Sequence, residues 1–203
     1  MAVPRTLHPP VHMTDLWRDP DDIIQDFASG DAERIRLGLA GLREFSKDGD
    51  EVDLPAIDLA LLEPFGSAPP EQVVLDFATL LADYRSFVPP PTATDKIVQL
   101  VELSVRHGLS RVIHETELVI QRQPDPAAAT RLAMTYLGER GLHTAAEIVA
   151  ARQLVFYLLE AKPEVRRAVG YGLAAWPSNA ATRQIIAGVL PLIDPDQRAS
   201  LTL

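Results

Sequence analysis

Apolar residues recur every three or four positions along most of the chain, and this is the spacing of one helix face. One such stripe is Ile35, Leu39 and Leu42, with Phe45 beside it. A broader one is Val73, Val74, Phe77, Leu80, Leu81 and Tyr84. Short apolar runs such as VVLDF lie inside helical windows, so they do not indicate strands. The pattern predicts an all-α fold of about ten helices.

Turn residues and capping residues divide this pattern into separate helices. Acids and hydroxyls (Asp31, Thr94, Ser110) mark predicted starts, and glycines (Gly30, Gly108, Gly141) mark predicted ends. The predicted helices cover residues 21–28, 31–46, 55–63, 71–87, 95–107, 111–122, 125–140, 144–162, a helix starting at 163, and 179–193. Residues 144–162 carry few polar side chains, so we expect this helix at the centre of the C-terminal half.

Prolines set the predicted domain organisation. Four of them fall in residues 1–20, which are expected to form an extended lead-in. Pro89-Pro90-Pro91 predicts a stiff polyproline spacer and a boundary between a helical N-terminal half, 21–88, and a C-terminal half, 92–203. Both flanks are amphipathic, so a single helical domain over 21–203 is favoured.

The end of the chain repeats a two-helix pattern. Arg131 to Leu137 and Arg167 to Leu173 each place an arginine six residues before a leucine, after Asp125-Pro126 and Pro163 respectively. Residues 198–201 begin a third copy after Asp194-Pro195, and residues 36–42 are a fainter one after Asp31. Helix pairs of this kind bury their apolar faces by stacking on one another.

This pattern resembles the HEAT and HEAT-like repeat family, most clearly over residues 125–201. The resemblance implies an irregular α-α superhelix, a stack of helix pairs. It also implies that the matching aspartates and arginines (Asp125, Arg131, Arg167, Asp194, Arg198) tie neighbouring pairs together. Gly170, Gly172, Ala174 and Ala175 are expected to let helices approach closely. Tyr136, Tyr157, Tyr171 and Trp176 are expected to be core residues.

Composition limits the classes of function. The chain has 203 residues, no cysteine and a net charge of −9, so thiolate sites and disulfides are excluded and nucleic-acid binding is disfavoured. No apolar run is long enough to indicate a signal peptide or a membrane span. We therefore expect a cytoplasmic protein without nucleic-acid or membrane partners.

Residues that could carry catalysis or bind metal do not form a known motif. Aligning Gly49 with the glycine of a calcium loop puts Pro55 where a glutamate is required. His114-Glu115 resembles the start of a zinc-protease motif, but Leu118 stands where the second histidine belongs. There is no phosphate loop and no serine nucleophile elbow. The sequence predicts no enzyme, no metal and no cofactor.

The leading functional hypothesis is a protein-binding module that uses the concave face of the stack. Second helices line that face in helix-pair repeats, here 111–122, 144–162 and 179–193. The acidic charge suits a basic partner, which indicates an adaptor or an immunity or antitoxin-type inhibitor. The candidate partner-binding residues are the polar ones of these helices, namely Glu115, Glu117, Gln121, Glu147, Arg152, Gln153, Arg183 and Gln184.

Two alternatives remain open at this point. The first alternative is a DNA-repair enzyme of the alkylated-base glycosylase type, because some HEAT-like proteins act on alkylated DNA. The net charge of −9 disfavours this alternative. The other is a structural subunit whose apolar C-terminal edge continues into a larger assembly.

Overall fold

A computed structural model describes residues 19–48, 59–66, 68–83 and 90–201, and in these ranges it contains helices and no strand. The prediction of an all-α fold with about ten helices is confirmed. The α-helices are α1 Pro20–Ala28, α2 Ala32–Asp48, α3 Glu71–Asp83, α4 Pro90–His107, α5 Ser110–Gln121, α6 Pro126–Arg140, α7 Ala145–Glu160, α8 Pro163–Ala175, α9 Ala180–Val189 and α10 Pro195–Arg198. Two 3₁₀ segments, Leu59–Phe65 and Leu190–Leu192, complete the helical elements of these ranges.

The chain forms two compact units, residues 1–76 and residues 77–203, and the division falls within α3. The single domain predicted over 21–203 stays a prediction. Most of the predicted lead-in, most of the acidic segment 47–55 and position 89 lie outside the described residues.

In the first unit, α1 packs against α2. The Asp19 carboxylate caps α1 by accepting from the Asp21 amide, and Asp31 caps α2 by accepting from the Arg34 amide at 2.9 Å. Asp31 therefore has the capping role predicted from the sequence. Nε of Arg36 on α2 donates a 2.9 Å hydrogen bond to Oδ2 of Asp76 on α3, and this bond raises the pKa of Arg36.

The second unit is built from helix pairs arranged in two layers. The first helices of the pairs, α4, α6 and α8, contact one another in order, with α6 against α4 and α8 against α6. The second helices, α5, α7 and α9, do the same, with α7 between the other two. This is the neighbour-to-neighbour stacking that makes each pair complete the core of the next.

Helix α7 is the centre of this core, as its apolar sequence predicts. It contacts α4, α5, α8 and α9, and its inner face is fully buried at Ala151, Leu154, Val155 and Leu158. A capping box starts it, in which the Thr144 hydroxyl accepts from the Glu147 amide and the Glu147 carboxylate accepts from the Thr144 amide. This reciprocal pair satisfies main-chain donors that the first turn leaves open.

Helices α6 and α8 pack closely because glycines lie at their contact. A Cβ added to Gly172 of α8 would lie 2.5 Å from the Cβ of Met134 on α6. One added to Gly170 would lie 2.4 Å from the Gln197 side chain, so both glycines have the close-approach role predicted for them. Ala174 and Ala175 are exposed and do not share it.

Three predictions about helix starts were wrong. Pro90 and Pro91 form the first turn of α4 instead of a polyproline spacer, since proline is tolerated where the amide has no helical partner. Thr94 consequently lies inside α4 and does not cap it. Ser110 is the first residue of α5, whose N-cap is Leu109 without a side-chain hydrogen bond.

Two further expectations fail in the second unit. Tyr171 is 68% exposed on α8 and is not a core residue. The matched aspartates and arginines do not pair with one another in the described structure. Asp125 caps α6, Arg198 bonds to the carbonyls of Ile193 and Pro191, and Asp194 lies 4.0 Å from Arg166.

Candidate functional site

The outer face of the second-helix layer carries an exposed row of side chains on α7. Because the opposite side of α7 faces the core, positions seven residues apart share the outer side. Val149 is 51% exposed and Phe156 is 38% exposed, and Arg152 lies exposed between them. We call the row Val149, Arg152, Phe156 and Glu160 the α7 stripe. Two large apolar side chains in line on a central helix are a feature of binding surfaces.

A groove of about 470 Å³ lies beside this stripe, between α5 and α7. Helix α5 supplies His114, Glu117 and Gln121 at intervals of three and four, so these side chains share one face of the helix. The end of α7 supplies Tyr157, Glu160 and Ala161. These six residues define what we call the α5–α7 groove.

Glu117 is the buried carboxylate of the α5–α7 groove, with only 6% of the residue exposed. Its Oε2 lies 3.3 Å from Nδ1 of His114, and its Oε1 accepts a hydrogen bond from Nε2 of Gln121. Both oxygens therefore have partners on the same helix, which hold the carboxylate in one orientation. Neither partner is an arginine or a lysine.

Tyr157 forms the aromatic wall of the groove. Its ring centroid lies 6.1 Å from that of His114 in a T-shaped arrangement, and 6.2 Å from that of Phe156. Nε2 of Gln153 donates a 3.0 Å hydrogen bond to the tyrosine hydroxyl. These contacts hold the ring in one position.

The charge of the groove is acidic. Glu117 and Glu160 line it, and no lysine or arginine is among the described residues of its lining. Glu160 is exposed and makes no ion pair or hydrogen bond within the described ranges. Two carboxylates beside aromatic rings create a negative potential that attracts cations.

A second polar cluster joins α4, α6 and the start of α7. Glu102 of α4 is buried and accepts hydrogen bonds from the Tyr136 hydroxyl at 2.8 Å, from Nε of Arg106 at 3.0 Å and from Nε of Arg140. Nη2 of Arg140 also donates to Glu147 at 2.7 Å. Both oxygens of each carboxylate are satisfied, so the cluster holds helices together and has no free group for a ligand.

The pKa values in this cluster follow from its contacts. Burial alone would raise the pKa of Glu102, but the hydrogen bonds from Arg140 and Tyr136 lower it overall. Burial and the bond to Glu102 raise the pKa of Tyr136 to about 12. Burial likewise opposes ionisation of Glu147, yet its bonds from Arg140 and from the amides of His143 and Thr144 lower its pKa to about 2. All these groups keep their ordinary charge at neutral pH.

The structure places the eight predicted contact residues in different environments. Glu117 and Gln121 line the α5–α7 groove, and Gln153 supports its tyrosine. Glu147 is engaged internally by Arg140. Glu115 is half-buried on α5, and Arg183 and Gln184 are exposed in the first turns of α9. Arg152 is exposed on α7, and its Cδ lies 2.9 Å from the position that a Cβ on Gly188 would occupy.

Sequence reasoning missed six residues of this surface as partner contacts, namely His114, Val149, Phe156, Tyr157, Glu160 and Ala161. A signal for two of them was present, because Phe156 follows Val149 by seven residues and Glu160 is a rare charge near the end of the most apolar helix. Tyr157 looked like a core residue, and it is half-buried at the wall of the groove.

No group of three or more histidine, aspartate or glutamate side chains is placed in the described ranges to hold a metal ion. None of the helices described is both long enough and apolar enough to cross a membrane.

Comparison with known proteins adds no relative. The chain matches no protein-family model, no curated protein and no solved structure.

Proposed function

We propose that this chain is a non-enzymatic protein-binding module whose partner docks on the outer face of α5, α7 and α9. The observation that carries the proposal is the α7 stripe, where Val149 and Phe156 are exposed in line on the central helix of the layer. Soluble proteins bury most large apolar side chains, and an apolar row rimmed by polar residues is typical of interfaces.

The surroundings of the stripe fit this role. Polar side chains lie around it, with the α5–α7 groove along one edge and Arg183 and Gln184 exposed on the neighbouring helix α9. A partner that covers α7 would bury the apolar residues and meet polar groups at the rim. This arrangement, an apolar centre with a polar border, is how stable interfaces exclude water from their main contacts.

The charge of the chain indicates what kind of protein would dock there. The net charge of −9 and the two carboxylates of the groove favour a basic partner, and opposite charges speed association. An adaptor, or an inhibitor of the immunity or antitoxin type, is the role that fits a small acidic binder. The HEAT-like stack remains the architecture we propose for its second unit.

The test compares capture by the full chain and by three variants in cells of its native organism. Val149→Asp and Phe156→Asp place a charge in the α7 stripe, whereas Tyr171→Asp places one on α8, which belongs to the other layer. Far-UV circular dichroism verifies that each variant is folded. Captured proteins are quantified by mass spectrometry against the wild-type chain.

We expect a protein held in near-stoichiometric amount by the wild type and by the Tyr171 variant, and reduced at least about tenfold by either stripe variant. The proposal is overturned if the wild type holds no such protein. It is also overturned if the stripe variants capture the same amount, or if only the Tyr171 change reduces it.

A further inference from the structure

The α5–α7 groove is open to solvent and large enough to admit one side chain. Its volume of about 470 Å³ lies in the ordinary range of small-ligand sites, roughly 300–1,000 Å³. It opens beside Phe156 of the α7 stripe, whose ring contacts Tyr157. A partner that covers the stripe therefore passes over the groove.

The electrostatics of the groove select a cation. Glu117 is buried, and its partners His114 and Gln121 leave its negative charge unpaired by lysine or arginine. Glu160 at the opposite wall has no ion pair in the described ranges. Glu160 is therefore the carboxylate with which an incoming cation would pair, and the charge of Glu117 adds to the attraction.

The aromatic wall favours a planar cation. The ring of Tyr157 is held by Gln153 and by its contacts with His114 and Phe156, so it offers a fixed surface. A guanidinium group stacks on an aromatic ring while its N–H groups reach carboxylates at its edge. An ammonium group is a compact point charge and gains less from such a wall.

From this combination we infer that the α5–α7 groove accepts an arginine side chain of the docked protein, stacked on Tyr157 and paired with Glu160, in the negative potential to which Glu117 adds. The inference rests on the proposed protein-binding function and names the residue that such a partner must present. Glu160 and Tyr157 would contact the guanidinium, and Gln153 would act as a positioning residue through the tyrosine hydroxyl.

The test uses two short peptides that differ in one group. The first is acetyl-Gly-Arg-Gly-amide, and the second carries citrulline, which has nearly the same shape but no charge. Each is titrated into the full ¹⁵N-labelled chain, and amide chemical shifts are followed. A third peptide with lysine in place of arginine tests the preference for a planar group.

We expect the arginine peptide to cause saturable shifts confined to residues 114–121 and 153–161. Citrulline is expected to bind at least tenfold more weakly, and lysine severalfold more weakly. Glu160→Gln and Tyr157→Leu should each weaken arginine binding at least fivefold. Tyr171→Leu, the matched change of an exposed tyrosine on α8, should leave it unchanged.

Several results would overturn the inference. These are the absence of saturable shifts, equal binding of the arginine and citrulline peptides, equal binding of lysine, and full binding by the Glu160 and Tyr157 variants. Failure here would leave the proposed function intact if capture still depends on Val149 and Phe156. Conversely, loss of that capture pattern would remove the proposed function whatever the peptides do.

Discussion

The indole Nε1 of Trp176 donates a 2.7 Å hydrogen bond to the main-chain carbonyl oxygen of Met134, 42 residues earlier in the chain. Trp176 follows the last residue of α8, and Met134 lies in the middle of α6. The indole ring lies over Gly138, where an added Cβ would come within 2.7 Å of it. One side chain thus fixes two neighbouring helix pairs of the stack.

Replacing Trp176 with phenylalanine should therefore destabilise the protein. The change removes the hydrogen bond to Met134 and leaves space above Gly138, and we expect a loss of about 1–3 kcal/mol in the free energy of unfolding. Urea unfolding followed by far-UV circular dichroism measures it. Unchanged stability would show that the α6–α8 contact does not depend on the indole.

Replacing Gly172 with alanine should also cost stability, although alanine is the better helix former by about 1 kcal/mol. Its Cβ would lie 2.5 Å from the Cβ of Met134, which is close to the α6 main chain and cannot move aside. We expect a net loss of about 1–3 kcal/mol.

Gly188→Ala is the matched control for that substitution. Its Cβ would meet Cδ of Arg152, part of an exposed and flexible side chain, at 2.9 Å. We expect no loss of stability, because the arginine can shift at low cost. If both alanine variants behave alike, close packing at Gly172 is not what limits the helix approach.

Protonation of Glu147 should weaken the protein in acid. The pKa of Glu147 is about 2 when folded, against an ordinary value of 4.5, so in acid the unfolded chain takes up a proton that the folded chain does not. This contribution to stability is present above about pH 5 and is lost as the pH falls towards 2. Glu147→Gln should flatten the fall in the free energy of unfolding over that interval. Glu139→Gln, an exposed acid on α6, should not.

The burial of His107 should make the free energy of unfolding depend on pH in a second, higher pH range. Its Nε2 is buried and has no hydrogen-bond partner among the described residues. Burial together with the nearby Arg106 charge lowers the pKa of His107 despite the opposing charge of Glu102. The unfolded chain therefore binds the proton more readily, so stability decreases as the pH falls below about 6.5. His107→Gln should reduce the change in unfolding free energy measured between pH 7.5 and pH 5.5. An identical pH profile in this variant would contradict the role of His107.

The features predicted correctly from the sequence were those set by local geometry. Asp31 caps its helix as predicted, and Gly108 and Gly141 end theirs with positive φ angles of 64° and 71°. The polyproline spacer predicted at Pro90 was wrong because the same proline sequence is compatible with a spacer and with the first turn of a helix. Only the packing of the following helix decides between them.

The candidate site was less predictable, because burial of a polar residue depends on its neighbours in space. Glu115, Glu117 and Glu147 all look like exposed acids in the sequence. In the structure Glu147 forms an ion pair with Arg140 of α6, and Glu117 is buried where it lines the α5–α7 groove. Tyr171 and Tyr157 are equally apolar in sequence context, yet one is exposed and the other forms a wall.

The central claim is that a partner protein covers α7, and site-specific photocrosslinking tests it most directly. The photoreactive residue p-benzoylphenylalanine would replace Phe156 in one chain and Tyr171 in another, and both chains would be irradiated in the native cell. The account predicts a light-dependent adduct with one partner protein from position 156 and none from position 171. Adducts from position 171 alone, or none from position 156, would contradict it.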